Sequence, residues 1–280
     1  MKTNYELRYA SNPTDFKGYD TERLRRDFLI ENLFVANEVN MVYTMYDRLI
    51  IGGAMPIGEA LTLDAIDPLK SSCFLSRREL GIYNVGGLGR VRIEGDTFEL
   101  DYMESLYIGA GERELVFTSV DPENPAKFYF NSAPAHTSYP DKKITTNEAI
   151  SVEMGSYEDA NRRTINKMLV SQRVTTCQLQ MGMTELLPGS VWNTMPAHTH
   201  SRRMEAYFYF AIPKDQAVCH FMGEPHETRH IWMKGEQAVI SPEWSIHSAA
   251  ATHNYVFIWG MAGENLDYSD QDFYATTDLK

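Results

Sequence analysis

The stretch MPAHTHSRRMEAYFYF, residues 195–210, decides how the rest of the chain is read. Two histidines stand two apart at 198 and 200, a glutamate follows at 205, and a run of aromatics comes next. Residues two apart on a strand face the same way, so His198 and His200 present their imidazoles side by side. His is the commonest protein metal ligand, and Glu adds a hard oxygen donor. Glu205 lies an odd number of positions beyond His200, so the chain has to bulge or turn within SRRM (201–204) for the carboxylate to join them. Tyr207 and Tyr209 share the face of Glu205, whereas Ala206, Phe208 and Phe210 point the other way and read as sheet packing.

A third imidazole has to come from a neighbouring strand. GEQAVISPEWSIH (235–247) ends on His247 after a turn containing Pro242, and His253 follows six residues later. Seven of the eight histidines lie between 198 and 253, and only His136 lies outside, so a histidine site belongs to the second half. His220, His226 and His230 lack comparable spacing.

Outside this stretch the chain reads as short strands broken by Gly, Pro, Asn and Asp. Examples are VRIEGDTFEL (91–100), SLYIGAG (105–111), ELVFTS (114–119), FYFNSA (128–133), TTCQLQMGMTEL (175–186), EQAVISP (236–242) and NYVFIWGM (254–261). Many short strands at close spacing predict a sandwich or barrel. Two segments read as helices: residues 20–34, and residues 157–169 behind a Ser156/Asp159 capping pattern with Ile165, Met168 and Leu169 on one face. The loop YPDKKITTNEA (139–149) sets a domain boundary near residue 150. NVGGLGRV (84–91) lacks the G-x-G-x-x-G spacing of a dinucleotide loop and reads as a glycine-rich hairpin.

Composition bounds the function. The chain has 280 residues, 43% hydrophobic and 23% charged, which describes a globular protein. A net charge of −12 argues against nucleic acid, whose phosphates need a basic patch. It leaves room for a small anionic substrate held by local arginines. No apolar run is long enough for a membrane helix, and MKTNYELRYA at the start has no signal-peptide pattern. Cys73, Cys177 and Cys219 form no CxxC pair and read as free thiols of a reducing cytosol.

The motifs together resemble the cupin superfamily. Gly189, His198, His200 and Glu205 match its first motif, and Gly235, Pro242 and His247 match its second. The chain departs from the pattern in a longer interval between Gly189 and His198 and in Trp244 where Gly is common. FELDYMESLYIGAGERELVF (98–117) has the cadence of a second such motif with Glu114 at the histidine position, and no HxH lies upstream. The expected fold is all-β: tandem cupin (double-stranded β-helix, jelly-roll) barrels with a few short helices. A metal-free barrel is expected over 1–150 and a metal-binding one over 151–280. An unrelated β domain is the alternative for the first half.

RRELGIYNVGGLGRV (77–91), FYFNSAPAH (128–136), NRRTINK (161–167), CQLQMGMTELLPGSVWNTMPAHTHSRRMEAYFYF (177–210), FMGEPHETRHIWMKGEQAVISPEWSIHS (221–248) and FIWGMAGEN (257–265) resemble the 5-keto-4-deoxyuronate isomerase family. That resemblance covers the chain from roughly 15 to 270. It implies conversion of 5-dehydro-4-deoxy-D-glucuronate to 3-deoxy-D-glycero-2,5-hexodiulosonate in pectin and uronate breakdown. It also implies one zinc per subunit on His198, His200, Glu205 and His247, and a cytoplasmic homohexamer. Candidates for proton transfer are Glu243, His253, Tyr207 and Tyr209. Candidates for the substrate carboxylate are Arg202, Arg203, Arg162, Arg163 and Lys167. An iron-dependent cupin oxygenase and a non-catalytic sugar-binding cupin are the competing readings, since three His and a Glu also suit Fe(II).

Overall fold

The computed structural model describes residues 2–264 and 267–280. It divides into two units, each built of a seven-stranded and a four-stranded sheet. The first unit comprises the residues up to Arg8, Asn32–Ala149 and Met168–Met181; the second comprises Tyr9–Glu31, Ile150–Lys167 and Gly182–Lys280.

Both units thread their strands in the same order. In the first, the five central strands of the larger sheet run Glu38–Thr44, Ile50–Ala54, Phe128–Pro134, Arg78–Asn84, Ser105–Ile108; in the second, Arg163–Leu169, Gln180–Leu186, Val256–Gly263, Arg203–Phe210, Gln237–Ser241. The smaller sheets run Leu61–Thr62, Leu115–Ser119, Gly89–Ile93, Asp96–Leu100 and Trp192–Asn193, Ser248–Ala251, Val218–Glu224, Glu227–Met233. One lock recurs at the same place. Gly52 lies under the Phe130 ring and Gly182 under the Trp259 ring, where a Cβ would come within 2.2 Å and 2.1 Å of ring carbons. The tandem barrel expected from the sequence is therefore an internal repeat. The first unit's interior is filled by an apolar cluster including Phe74, Leu75, Leu80, Phe117, Phe128 and Phe130.

Four local readings change. Residues 157–169 form no helix. Asp159 N donates to Ser156 Oγ at 3.0 Å, so the cap contact forms, but it closes only a turn that Ala160 ends at φ 51°. Arg163–Leu169 then continues as a strand paired with Ile150–Met154, because sheet pairing outweighs a weak helical period. The helix expected over 20–34 is Thr21–Phe28, capped by Asp20, before Leu29–Ile30 pairs with the strand Gln237–Ser241. In 175–186 only Gln180–Leu186 is strand. The N–H groups of Cys177, Gln178 and Leu179 instead donate to the buried Glu79 carboxylate at 2.7–2.8 Å. Residues 84–91 are no hairpin, since Arg78–Asn84 and Gly89–Ile93 lie in different sheets.

The division at residue 150 is one of several crossings between the units. Segment 9–31 belongs to the second unit because its apolar side chains bury there: Phe16 is 5.0 Å from the Trp244 ring, and Leu24 and Phe28 are buried.

Candidate metal centre and its cavity

The second unit gathers His198, His200, Glu205 and His247. His198–Thr199 is a short strand, residues 201–202 turn, and Arg203–Phe210 begins the next strand with Glu205 on it. The turn makes the change of direction that the odd spacing demands. His200 Nδ1 donates to the Arg203 carbonyl at 2.8 Å, which leaves Nε2 3.0 Å from Glu205 Oε2. His247, at the end of the loop after Gln237–Ser241, places Nε2 3.1 Å from Glu205 Oε2 and 3.1 Å from His198 Nε2. All four side chains are buried.

This spacing suits a shared ion. Two adjacent donors each ~2.0–2.1 Å from one ion lie ~2.8–3.4 Å apart, from octahedral to tetrahedral arrangement. Donor charge state agrees. Burial, reinforced by His200, pulls His198 down to about 3, and burial with the neighbouring histidines holds His247 well below its ordinary value. The His198 and His247 imidazoles are therefore neutral, the form that ligates. The buried trio could hold a metal ion.

A cavity of about 380 Å³ opens onto this cluster. Its lining includes His198, His200, Glu205 and Tyr207, with Arg163 and Lys167 as cations and Ile165, Phe257, Trp259 and Met261 as apolar wall. Tyr207 pairs its hydroxyl with Thr194 Oγ1 at 3.0 Å, and burial, then the Glu205 charge, raises its pKa well above the ordinary value. Arg163 and Lys167 reach the cavity because they sit on a strand two alternations apart, and not on the expected helix.

The other candidates lie elsewhere. Arg203 is fully buried and paired with Asp270 at 2.9 and 3.1 Å, its guanidinium 4.9 Å from the Tyr268 ring. Arg202 meets Asp267 at 3.4 Å and Asp270 at 3.7 Å on the surface side. Arg162 pairs with Glu153 at 3.2 Å. The Tyr209 hydroxyl pairs with His220 Nδ1 at 2.8 Å in the core. His253 is exposed and bonds the Asn254 carbonyl, and Glu243 is half-buried in the turn before Trp244; neither belongs to the cavity lining. Arg202, Arg203, Tyr209, His253 and Glu243, expected at the site, thus lie outside the cavity lining.

Sequence reading missed Tyr268, Gln271 and Phe273, which line the cavity from the segment after the last barrel strand. They carry no spacing signal, because Asp272–Phe273 reaches the site only by pairing with His198–Thr199. In the first unit the positions equivalent to the ligands carry other chemistry. Leu80 stands where Glu205 does, third in its strand, and Glu114 stands where His247 does, just before the matching strand of the smaller sheet.

Comparison with known proteins shows the family. The family described as KduI/IolB matches residues 28–279. The 4-deoxy-L-threo-5-hexosulose-uronate ketol-isomerase 1 of Bacteroides thetaiotaomicron is 70% identical over 280 residues, 100% of both chains. The crystal structure of an IolB-like protein from Salmonella typhimurium LT2 superposes with a TM-score of 0.67 at 17% identity, covering 81% of this chain and 87% of that one. The Lactobacillus farciminis oxalate decarboxylase formate complex does so with 0.56 at 9%, covering 80% and 79%; both likenesses concern the fold alone.

Proposed function

The chain belongs to the KduI/IolB family, and from that premise we propose that it is the ketol-isomerase converting 5-dehydro-4-deoxy-D-glucuronate to 3-deoxy-D-glycero-2,5-hexodiulosonate in pectin and uronate catabolism. The observation that carries the reading is one cavity that opens onto the three-histidine, one-glutamate cluster and carries two cations, Arg163 and Lys167.

The reaction moves a carbonyl from C1 to C2. A proton leaves C2, one is returned to C1, and the enediol between them develops negative charge on oxygen. His198, His200, Glu205 and His247 would hold a divalent ion, one zinc per subunit, which when bound polarises a carbonyl and stabilises an enediolate. Arg163 and Lys167 bind the uronate carboxylate through charge-assisted bonds. Tyr207 keeps its phenolic proton and is the donor on the cavity wall. Ile165, Phe257, Trp259 and Met261 exclude bulk water, which strengthens the electrostatic contacts inside. The cytoplasmic homohexamer implied by the family resemblance completes the reading, and analytical ultracentrifugation tests the assembly.

The deciding experiment is anaerobic turnover of the keto-uronate by protein stripped of metal and reloaded with zinc. Formation of the 2-keto product without oxygen supports the isomerase. Oxygen-dependent turnover that appears only with iron would favour the oxygenase, and substrate binding without turnover would favour a binding protein.

A further inference from the structure

We propose that Gln271 donates an amide N–H to the substrate oxygen that becomes negative in the enediolate, which adds a further functional side chain to the site. The inference rests on the ketol-isomerase reading. Gln271 Nε2 lies 3.1 Å from His198 Nε2, and the side chain lines the cavity. That distance equals the one between His198 and His247. His198 Nε2 is also the atom that faces the other donors. A group at that spacing therefore sits within hydrogen-bonding reach of a substrate oxygen beside His198.

The chain holds this amide from both sides. On one side, Asp270 pairs with the fully buried Arg203, and the Asp270 side chain is only 6% exposed. On the other, Asp272–Phe273 pairs with His198–Thr199, the strand that carries the first histidine. Tyr274 N donates to the Ala197 carbonyl at 3.0 Å, and the Phe273 ring is 5.2 Å from the His198 ring. A buried ion pair before a residue and a β-ladder after it fix its backbone, and donors preorganised in this way are what stabilise developing charge.

Residue type fits the task. An amide adds no charge to a site already holding Glu205 and an anionic substrate, and it offers two N–H donors. A carboxylate at this position would repel the enediolate. Among the described residues, the hydrogen-bond partner of the Gln271 side chain is His198 Nε2, the nitrogen whose lone pair an ion would take, so with the ion bound the amide N–H groups would turn to a substrate oxygen.

The test uses full-length Gln271→Ala and Gln271→Glu enzymes reloaded with zinc, beside wild type. Three quantities are read: zinc per chain, kcat and KM on the keto-uronate, and the calorimetric affinity for glutaric acid monohydroxamate. That compound mimics an enediolate and carries a carboxylate at matched length. We expect zinc to stay and KM to move little. In both variants kcat should fall by about a hundred-fold, the usual loss for one oxyanion donor. Hydroxamate affinity should fall about ten-fold. Gln271→Glu preserves shape and decides the matter if Gln271→Ala does not fold. Loss of zinc from the variants would make Gln271 a metal ligand, and unchanged kcat with unchanged hydroxamate affinity would make it a packing residue; either overturns the proposal. A wild-type enzyme that turns over while the variants match it sinks this inference alone. A wild type that binds zinc but does not isomerise sinks the ketol-isomerase reading as well.

Discussion

Removing Asp270 should destabilise the fold more than it alters substrate binding. The Arg203 side chain is 0% exposed and bonded by Asp270 at 2.9 Å and 3.1 Å. In Asp270→Ala the guanidinium keeps the Tyr268 ring and the Met261 sulfur, at 2.9 Å, but loses its counter-charge. Breaking one partner of a buried ion pair costs about 3–5 kcal/mol, a large share of the roughly 5–15 kcal/mol that separates native from unfolded. At about 2–4 °C per kcal/mol for a chain of this size, the melting temperature should drop on the order of 10 °C. Arg203→Met should cost less, because Arg202 stands 3.7 Å from the stranded Asp270 carboxylate. Replacing both partners, Arg203→Met with Asp270→Leu, should recover most of the loss, since no charge is then buried alone. Urea and thermal denaturation of the three variants, with KM on the keto-uronate, make the test. If Arg203→Met melts like wild type while its KM rises ten-fold or more, Arg203 is a carboxylate clamp and the structural reasoning is wrong.

Alanine at His198, His200 or His247 should release the metal, whereas alanine at His136, in the other unit, should leave it in place; elemental analysis of the four proteins checks this. Arg163→Ala or Lys167→Ala should raise KM by about ten- to a hundred-fold, the worth of one charge-assisted bond of roughly 1.5–3 kcal/mol, with metal content unchanged. Arg202→Ala should leave KM near wild type, because that side chain pairs with Asp267 and Asp270 outside the cavity lining. Acid should destabilise the metal-free protein in a definite window. Burial holds the folded His220 near about 3, while the unfolded chain titrates near about 6.5, so the unfolded state binds more protons between those values. Stability present at neutral pH is then lost as pH falls below about 6.5, by up to ~1.4 kcal/mol per pH unit for each such histidine, with His198 and His247 adding to the slope. Urea midpoints in chelator at about pH 7 and about pH 5 should converge partly in His220→Phe, and an unchanged slope there would contradict the assignment.

The period of two along strands and the spacing of His198, His200, Glu205 and His247 were enough to read a β-barrel with a converging donor set, and the resemblance to cupin motifs added the tandem arrangement. Both are local properties of the chain: alternation says which residues share a face, and a turn between 200 and 205 follows from an odd interval. Residues 163–169 were misread because their helical period was weak and the cap at Ser156 was real. Only pairing with Ile150–Met154 turned them into a strand and carried Arg163 and Lys167 to the cavity. Adjacent arginines at 202 and 203 are indistinguishable in sequence. Tertiary packing buried one against Asp270 and left the other near the surface, because charge pairing depends on residues more than sixty positions away. The same distance hid Tyr268, Gln271 and Phe273. Their place at the site is created by one short ladder to His198–Thr199, and a contact between two distant segments leaves no periodicity in either.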